Sequence, residues 1–512
     1  MEITQKIRDA IPEEYRDKTV VIFWNKNVNR FYAYRVLGNI YDPKKKRGRE
    51  IKETLGSISP DGVFRKSRLF KEREKVSELQ VELKKKNDRP DPTLGNAAGR
   101  SEALEAVTMA AKTVEDPRLD KKVSYSLDAL LAVAMLSSLS GATSAVSIAI
   151  YWKRFHHELS LLIDGLPEED ISHDTVNRVL RLVKPDRMLS LLDIMTASLF
   201  RQYAVRFIHV DGQSVRASKS ADCSDGRYIF NVYDSTSGIL LTHQLIDKKE
   251  NEISVAADVL SSLDLRSGDI ITADALNTQR RLVSVVDAAG ADYCLAVKGN
   301  HRKLHAEIRY LFNSNGKTGI LSSIQGDVEC DHGRIERRSY DIMPATFLSE
   351  QFREGWAGLN DGCILRAVTE SVEKATGEVR AKQERYFISS LNPKAPGIVN
   401  ILATAVRRHW RIENNLHWEL DVQYGQDRIQ ASDGNYLSNR SLLNKIALSV
   451  LHAAAESYRI KNGSRFSIKT LQQLCSTPMG ALDTLAMALD LQNCLRMSRY
   501  NSCNLAITHN VI

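Results

Sequence analysis

A chain of 512 residues has room for roughly two to four domains. Its 43% hydrophobic and 26% charged residues are the balance of an ordinary soluble globular protein, and the formal net charge of +8 is mildly basic. That charge is compatible with a nucleic-acid partner without establishing one. Seven cysteines (223, 294, 330, 363, 475, 494 and 503) are scattered with no C-x-x-C pair, which argues against a disulfide framework or zinc ribbon and suits a reducing cytoplasm. Met1 to Lys6 lacks the apolar core of a signal peptide, and no run of about 18 apolar residues occurs. The richest, Ala129 to Ala149, is broken by Ser, Gly and Thr. The expected location is cytoplasmic, away from membranes.

Residues 1–95 read as an N-terminal β-hairpin module. Val20 to Trp24 and Arg30 to Val36 are strand-like and flank the turn Asn25-Lys26-Asn27. Lys44, Lys45, Lys46 and Arg47, with Arg49 beyond, form a basic run that can grip phosphates or simply be a solvated hairpin loop. A charged helix is expected over Ser67 to Lys86, with Leu69, Val76, Leu79 and Leu83 on one stripe. Residues 87–105 have linker composition. From 105 to 202 the pattern is helical: Ser126 to Leu139 after a Ser cap, Thr143 to His157, and Ile171 to Val183 with Arg178 and Arg181 on its polar face. Helices with basic faces are one way to sit on DNA; a plain helical bundle is the alternative.

The chain is organised around Val205 to Lys298. An apolar run, Val205 to Val210, halts on Asp211, and strand-like runs follow at Arg227 to Tyr233 and Ile239 to Leu245. Next come a helix over Glu252 to Leu263, a strand over Asp269 to Ala273 halting on Asp274, a helix over Thr278 to Ala289 and a strand over Tyr293 to Val297. Three antiparallel strands, helix, strand, helix, strand is the order of an α/β, RNase H-like core with a mixed five-stranded sheet. Chemistry in such sheets sits at the carboxyl ends of parallel strands. The core's first part is set at 203–320, a β-rich insertion at 321–395, its last part at 396–456 and a helical tail at 457–512.

The third piece lies in the helix Ile398 to Leu420. Glu413 is four residues from both His409 and His417, so the three share one stripe. Glu413 facing Asp211 and Asp274 would gather three oxygen donors suited to Mg²⁺ or Mn²⁺, and two such ions serve phosphoryl transfer. A His409–Glu413–His417 zinc site is a rival, strained by the drift of successive i, i+4 steps. A purely structural helix anchored by Trp410 and Trp418 is another. Gly316-Lys317-Thr318 fails as a phosphate loop because position 311 is Leu.

Several segments resemble, in order and spacing, a DDE-type insertion-sequence transposase of the H-repeat-associated group. They are His209 to Gln213, Lys249 to Ile253, Leu263 to Leu265, Thr272 to Ala275 with Gln279, Asp292 to Asn300, His332 to Arg338 and His409 to Trp418. The resemblance covers about residues 170 to 455. It implies that Asp211, Asp274 and Glu413 are the catalytic, metal-binding triad. It further implies that the β-rich stretch is inserted between the second and third acids. Two departures stand out. The N-terminal module is larger than the group's. The Tyr-x₂-Arg-x₃-Glu-x₆-Lys signature of a broader related group is absent, its other positions holding Val406, His409 and Leu420.

The expected activity is therefore binding of the element's terminal repeats, metal-dependent strand cleavage, and transfer of the freed 3′-hydroxyl to target DNA by a homo-oligomer, taken as a dimer. Lys298, Arg334, Arg337, Arg338 and His409 are the candidate DNA contacts near the acids. A metal-dependent nuclease of the same fold and a non-catalytic DNA-binding derivative are the alternatives.

Overall fold

The structure is a computed structural model that describes residues 2–16, 19–26, 29–42, 47–66, 97–118, 123, 125–167, 169–199, 203–219, 226–246, 252–314, 319–326, 328–331, 334–373 and 379–490. The expected helix at Ser67 to Lys86, the basic residues Lys44, Lys45 and Lys46, and Gly316-Lys317-Thr318 lie outside these residues. The chain divides into two compact units, 1–92 and 93–512.

In the first unit the expected hairpin is part of a larger antiparallel sheet, ordered β1 (Val20–Asn25), β2 (Arg30–Asp42), β3 (Arg47–Ile58), β4 (Phe64–Lys66). Its core joins Ile7 and Ile11 of the helix Gln5–Asp9 region to Phe31, Ala33, Leu55 and Ile58. Trp24 and Phe31 pack ring to ring at 4.6 Å. Gly56 is required where β3 meets β4, since a Cβ there would lie 2.3 Å from the Arg65 carbonyl oxygen.

The second unit opens with a helix, Ala97–Lys112, where a linker was expected from composition. Its alanines are good helix formers, and Ala103, Val107, Ala110 and Ala111 are wholly buried. The helices Leu127–Leu139, Ala145–Leu162 and His173–Leu182 begin where their serines predict: Ser126, Ser144 and Ser172 each accept from a backbone N–H in the first turn. With Pro185–Leu199 they pack around a long helix, Gly434–Asn462, and the helix Pro478–Leu489.

One mixed sheet dominates the unit. Its central strands are β5 (Arg206–Val215), β6 (Arg227–Asp234), β7 (Ile239–Ile246), β8 (Asp269–Ala273) and β9 (Asp292–Val297). They run β7-β6-β5-β8-β9, antiparallel from β5 to β7 and parallel from β5 to β9. The expected five strands are only one end of it. β10 (Ser322–Gln325), β11 (Glu329–Asp331), β12 (Arg334–Pro344), β13 (Cys363–Glu373) and β14 (Val379–Ser389) continue the same sheet, with β14 antiparallel to β9. The edge of β9 would otherwise expose unpaired backbone groups, and the β-rich stretch satisfies them.

Both faces are covered. Helices Glu252–Ser261, Arg280–Ala288 and Arg302–Ser314 pack over Ile208, Val210, Ile271 and Leu295, while helix Ile398–Arg411 covers Phe207, Ile270, Cys294 and Leu365. That is why β8 is buried along its whole length and β9 along most of it. No described helix is long and apolar enough to cross a membrane.

Candidate catalytic site

Two of the acids are placed by strand register. β5 and β8 pair in parallel from Arg206↔Asp269 to Val210↔Ala273, and Asp211 and Asp274 are the next residues on the two strands. The register is anchored at its other end by a buried ion pair: Arg206 Nε donates to Asp269 Oδ1 at 2.6 Å, with side chains 5% and 1% exposed. Gly268, at φ +91°, lets β8 start against Ala204, where a Cβ would lie 2.2 Å from a carbonyl oxygen. One expectation needs correcting. β5 does not halt on Asp211; it runs on to Val215, and Asp211 sits opposite Asn231 of β6. The reason is the antiparallel partner, which holds the strand extended past the acid.

Asp274 begins a tight turn. Its Oδ1 accepts from the Asn277 backbone N–H at 3.0 Å and from Asn277 Nδ2 at 3.2 Å, an Asx-type closure that fixes the carboxylate. Thr278 Oγ1 lies 2.7 Å from the Ala296 carbonyl oxygen, tying the turn to β9.

Glu413 lies in an irregular stretch. The helix Ile398–Arg411 passes into a π-helical turn, Ile412–His417, before resuming as Trp418–Tyr424. Such turns insert a residue and are frequent at functional sites. The single stripe of His409, Glu413 and His417 is thereby broken. His409 Nδ1 faces Thr272 Oγ1 at 2.9 Å, whereas His417 Nδ1 is 3.7 Å from Asp211 Oδ2 and its Nε2 is 3.1 Å from Asn231 Nδ2. Burial raises the Glu413 carboxyl above its usual range; the like charge of Asp274 adds to this, and Arg385 and Lys298 oppose it. Asp274, Glu413, Lys298, Arg385 and His409 thus share one local field, since Asp274, Lys298 and Arg385 also act on His409, whose pKa burial brings down to about 4.

Among the described residues, no three His, Cys, Asp or Glu side chains are gathered tightly enough to hold an ion, so the zinc grouping is not formed. The acids are neighbours by register and by field without converging on one point. Their chemistry nevertheless suits a hard divalent cation: the donors are carboxylate oxygens, and a cation beside Glu413 and Asp274 would favour the ionised form that burial, and to a lesser degree Asp274, disfavours at Glu413.

Sequence reading missed the buried polar supports. His209, fully buried, bridges Thr272 Oγ1 (2.5 Å) and Ser235 Oγ (2.6 Å), so a chain of hydrogen-bonding groups runs Ser235–His209–Thr272–His409. Lys445, also fully buried, donates to Asn231 Oδ1 at 2.6 Å and lies 3.1 Å from His243 Nδ1. Among the described residues no carboxylate is a hydrogen-bond partner of its ammonium, and burial drives that group far below the usual lysine pKa. Asn231 links it to His417 and so to Asp211. A lysine inside the apolar run Leu442 to Leu448 was the available signal. Arg385, on β14, gave none.

Of the predicted DNA contacts, Lys298 is exposed beside the acids and Arg337 is exposed on β12. Arg338 is only 14% exposed and ion-paired with Glu329 (2.8 Å) and Glu336, so its charge is already committed. Arg334 opens β12 and Arg47 opens β3. Trp410 and Trp418 are not core anchors: they are 38% and 56% exposed, with Trp410 under the Arg385 guanidinium at 5.0 Å. Ile412, Leu416, Leu420 and Tyr424 anchor the segment instead.

Comparison with known proteins adds an independent line. The family model described as "Transposase DDE domain" matches residues 205–450, and one described as "DDE_Tnp_1-associated" matches 110–192. "Putative transposase YncI" of Escherichia coli O157:H7 is 28% identical over 346 residues, 66% of this chain and 85% of the relative. "H repeat-associated putative transposase YhhI" of Escherichia coli K12 is 26% identical over 342 residues, 66% of this chain and 88% of the relative. Among solved structures, the piggyBac transposase synaptic complex with hairpin DNA aligns with 81% of this chain and 86% of its own at 11% identity, with a TM-score of 0.36, too loose a superposition to argue from.

Proposed function

This chain belongs to the DDE transposases, and from that premise we propose that it binds the ends of its own insertion sequence in double-stranded DNA, cuts a strand there and joins the freed 3′ end to target DNA. The catalytic group is Asp211, Asp274 and Glu413 on an RNase H-like core built from β5 to β9. The observation that carries this reading is the register of β5 on β8, with Asp211 and Asp274 one step past Val210↔Ala273 and Glu413 within the field of Asp274.

The three carboxylates would hold Mg²⁺ or Mn²⁺, two ions in the expected arrangement, which when bound would activate an attacking hydroxyl and stabilise the leaving oxygen. The chain's own residues prepare the site. Asn277 fixes the Asp274 carboxylate, and His417, backed by Asn231 and Lys445, stands against Asp211. The His209–Thr272 pair sets the His409 ring. Lys298 and Arg385 supply positive charge beside the acids, where a phosphodiester would approach. Two DNA ends require two active sites, so a homodimer is the simplest assembly.

The test is strand cleavage of DNA flanking this gene in Mg²⁺ or Mn²⁺, comparing wild type with Asp274→Asn. Cuts at defined ends, lost in the variant with DNA binding retained, are expected. Cuts without end preference would reassign the chain as a plain nuclease, and binding without any cutting would make it a non-catalytic relative.

A further inference from the structure

A second cationic feature lies outside every residue assigned above. The segments leaving the carboxyl ends of β8 and β9 each lead into a helix, Arg280–Ala288 and Arg302–Ser314, and between them lies a groove of about 640 Å³. Arg280, Arg281, Arg302 and Lys303 line it, all exposed, while Leu304 and Trp356, both buried, contribute apolar surface. Arg281 is ion-paired with Asp258; no carboxylate partner of Arg280, Arg302 or Lys303 occurs among the described residues.

The placement of these charges is unfavourable for the protein alone. They occupy the first turns of two helices, neither of which has an acidic residue there. The helix dipole disfavours cations at that end, and the like charges repel one another. A polyanion in the groove would reverse the sign of both effects. The groove is also mechanically tied to the candidate catalytic turn. Asn300 Nδ2 donates to the Ala275 carbonyl oxygen, and His301 Nε2 lies 2.7 Å from the Thr278 carbonyl oxygen, so the segment leaving β9 is bonded to the segment leaving β8, which is the turn that Asp274 opens. A phosphate held there stands at a fixed offset from Asp274.

We propose that this groove is a binding track for the DNA backbone, in which Arg280, Arg302 and Lys303 contact phosphates of the duplex whose strand is cut at Asp274. The inference rests on the transposase reading and extends it to a surface outside the acids. The contacts are electrostatic and carry no base preference, so they set where the duplex lies and leave end recognition to other surfaces.

The experiment measures the salt dependence of binding of the full-length protein to a 40-base-pair duplex from the gene's flank, for wild type and the triple variant Arg280→Ala/Arg302→Ala/Lys303→Ala. Three lost phosphate contacts lower the slope of log affinity against log salt by about 2.7, so between 50 and 200 mM NaCl the variant loses about 40-fold less affinity than wild type. The charge-retaining variant Arg280→Lys/Arg302→Lys/Lys303→Arg should keep the wild-type slope. A photocrosslinker on Lys303→Cys should join to the duplex, which does not depend on the triple variant folding. An unchanged slope, or no crosslink, overturns the proposal, as does a wild-type thermal shift with inorganic phosphate alone that disappears in the triple variant while the DNA slope stays. Cleavage by the wild type, run in parallel, separates the two levels. If it cuts while the slope is unchanged, only the groove assignment falls; if it neither binds nor cuts, the transposase reading falls with it.

Discussion

The register that sets Asp211 beside Asp274 depends on a buried ion pair, and its removal should be costly. In Asp269→Ala the Arg206 guanidinium, 5% exposed, loses its two hydrogen bonds to Asp269, and the Arg266 backbone N–H loses the Asp269 carboxylate oxygen that it meets at 2.9 Å. Leaving one member of such a pair buried costs about 3–5 kcal/mol. Asp234 also acts on Arg206, which places the expectation at the lower end of that range. Set against a total stability of about 5–15 kcal/mol, the loss is large. Urea unfolding followed by tryptophan fluorescence should show a lower midpoint with an unchanged slope. Removing both partners, Arg206→Met with Asp269→Leu, should return to within about 1 kcal/mol of wild type, since no charge is then stranded. A single variant costing under about 1 kcal/mol, or a double variant as damaged as the single, would refute the reasoning. Function should follow stability here. A slip of one residue between β5 and β8 would turn each side chain to the opposite face, so cleavage should fall in the single variant even where it remains folded.

Three more outcomes are expected. His209, His243 and His452 are buried and held neutral well below the usual histidine pKa, about 4 for His452, with burial the main cause. Each takes up a proton on unfolding below about pH 6.5, so stability should fall on acidification from there toward pH 4, by about 4 kcal/mol per pH unit for the three together, and His243→Gln should reduce that slope by one proton. Burial, helped by Asp427, raises the half-buried Asp421 carboxyl to about 6. Its ionised form therefore disfavours folding above that pH and has no effect below about 4, so Asp421→Asn should raise the melting temperature at pH 8 and leave it unchanged at pH 4; a pH-independent difference would contradict this. Trp418→Ala should change stability by under about 1 kcal/mol, because the ring is 56% exposed; a loss of 3 kcal/mol would return it to the core.

Much of the chain was legible as sequence because its signals are local. Ser126 and Ser172 start helices by capping, which needs only the residues of one turn. Strand-like apolar and β-branched runs between turn residues located β6, β7, β8 and β9 and the order in which they follow one another. Asp211 and Asp274 were nameable because each follows an apolar run, Glu413 because it stands four residues from both His409 and His417, and the ordered motifs tied the three to one family.

Tertiary structure decided whatever depends on partners distant in the chain. That β14 closes on β9 follows from an open sheet edge needing hydrogen bonds, and nothing in Val379–Ser389 announces it. The π-turn at Ile412–His417 arises where Ile412, Leu416, Leu420 and Tyr424 are all drawn into the core, and it sends His409 to Thr272 and His417 to Asp211 although the sequence puts them on one stripe. Burial of Lys445 and the field that Lys298 and Arg385 share with Glu413 are likewise properties of packing. Sequence determines which groups are available and the local turn each occupies. Which charges lose their water, and which then face one another, is set only when remote segments pack, because desolvation and Coulomb energy depend on distance in space.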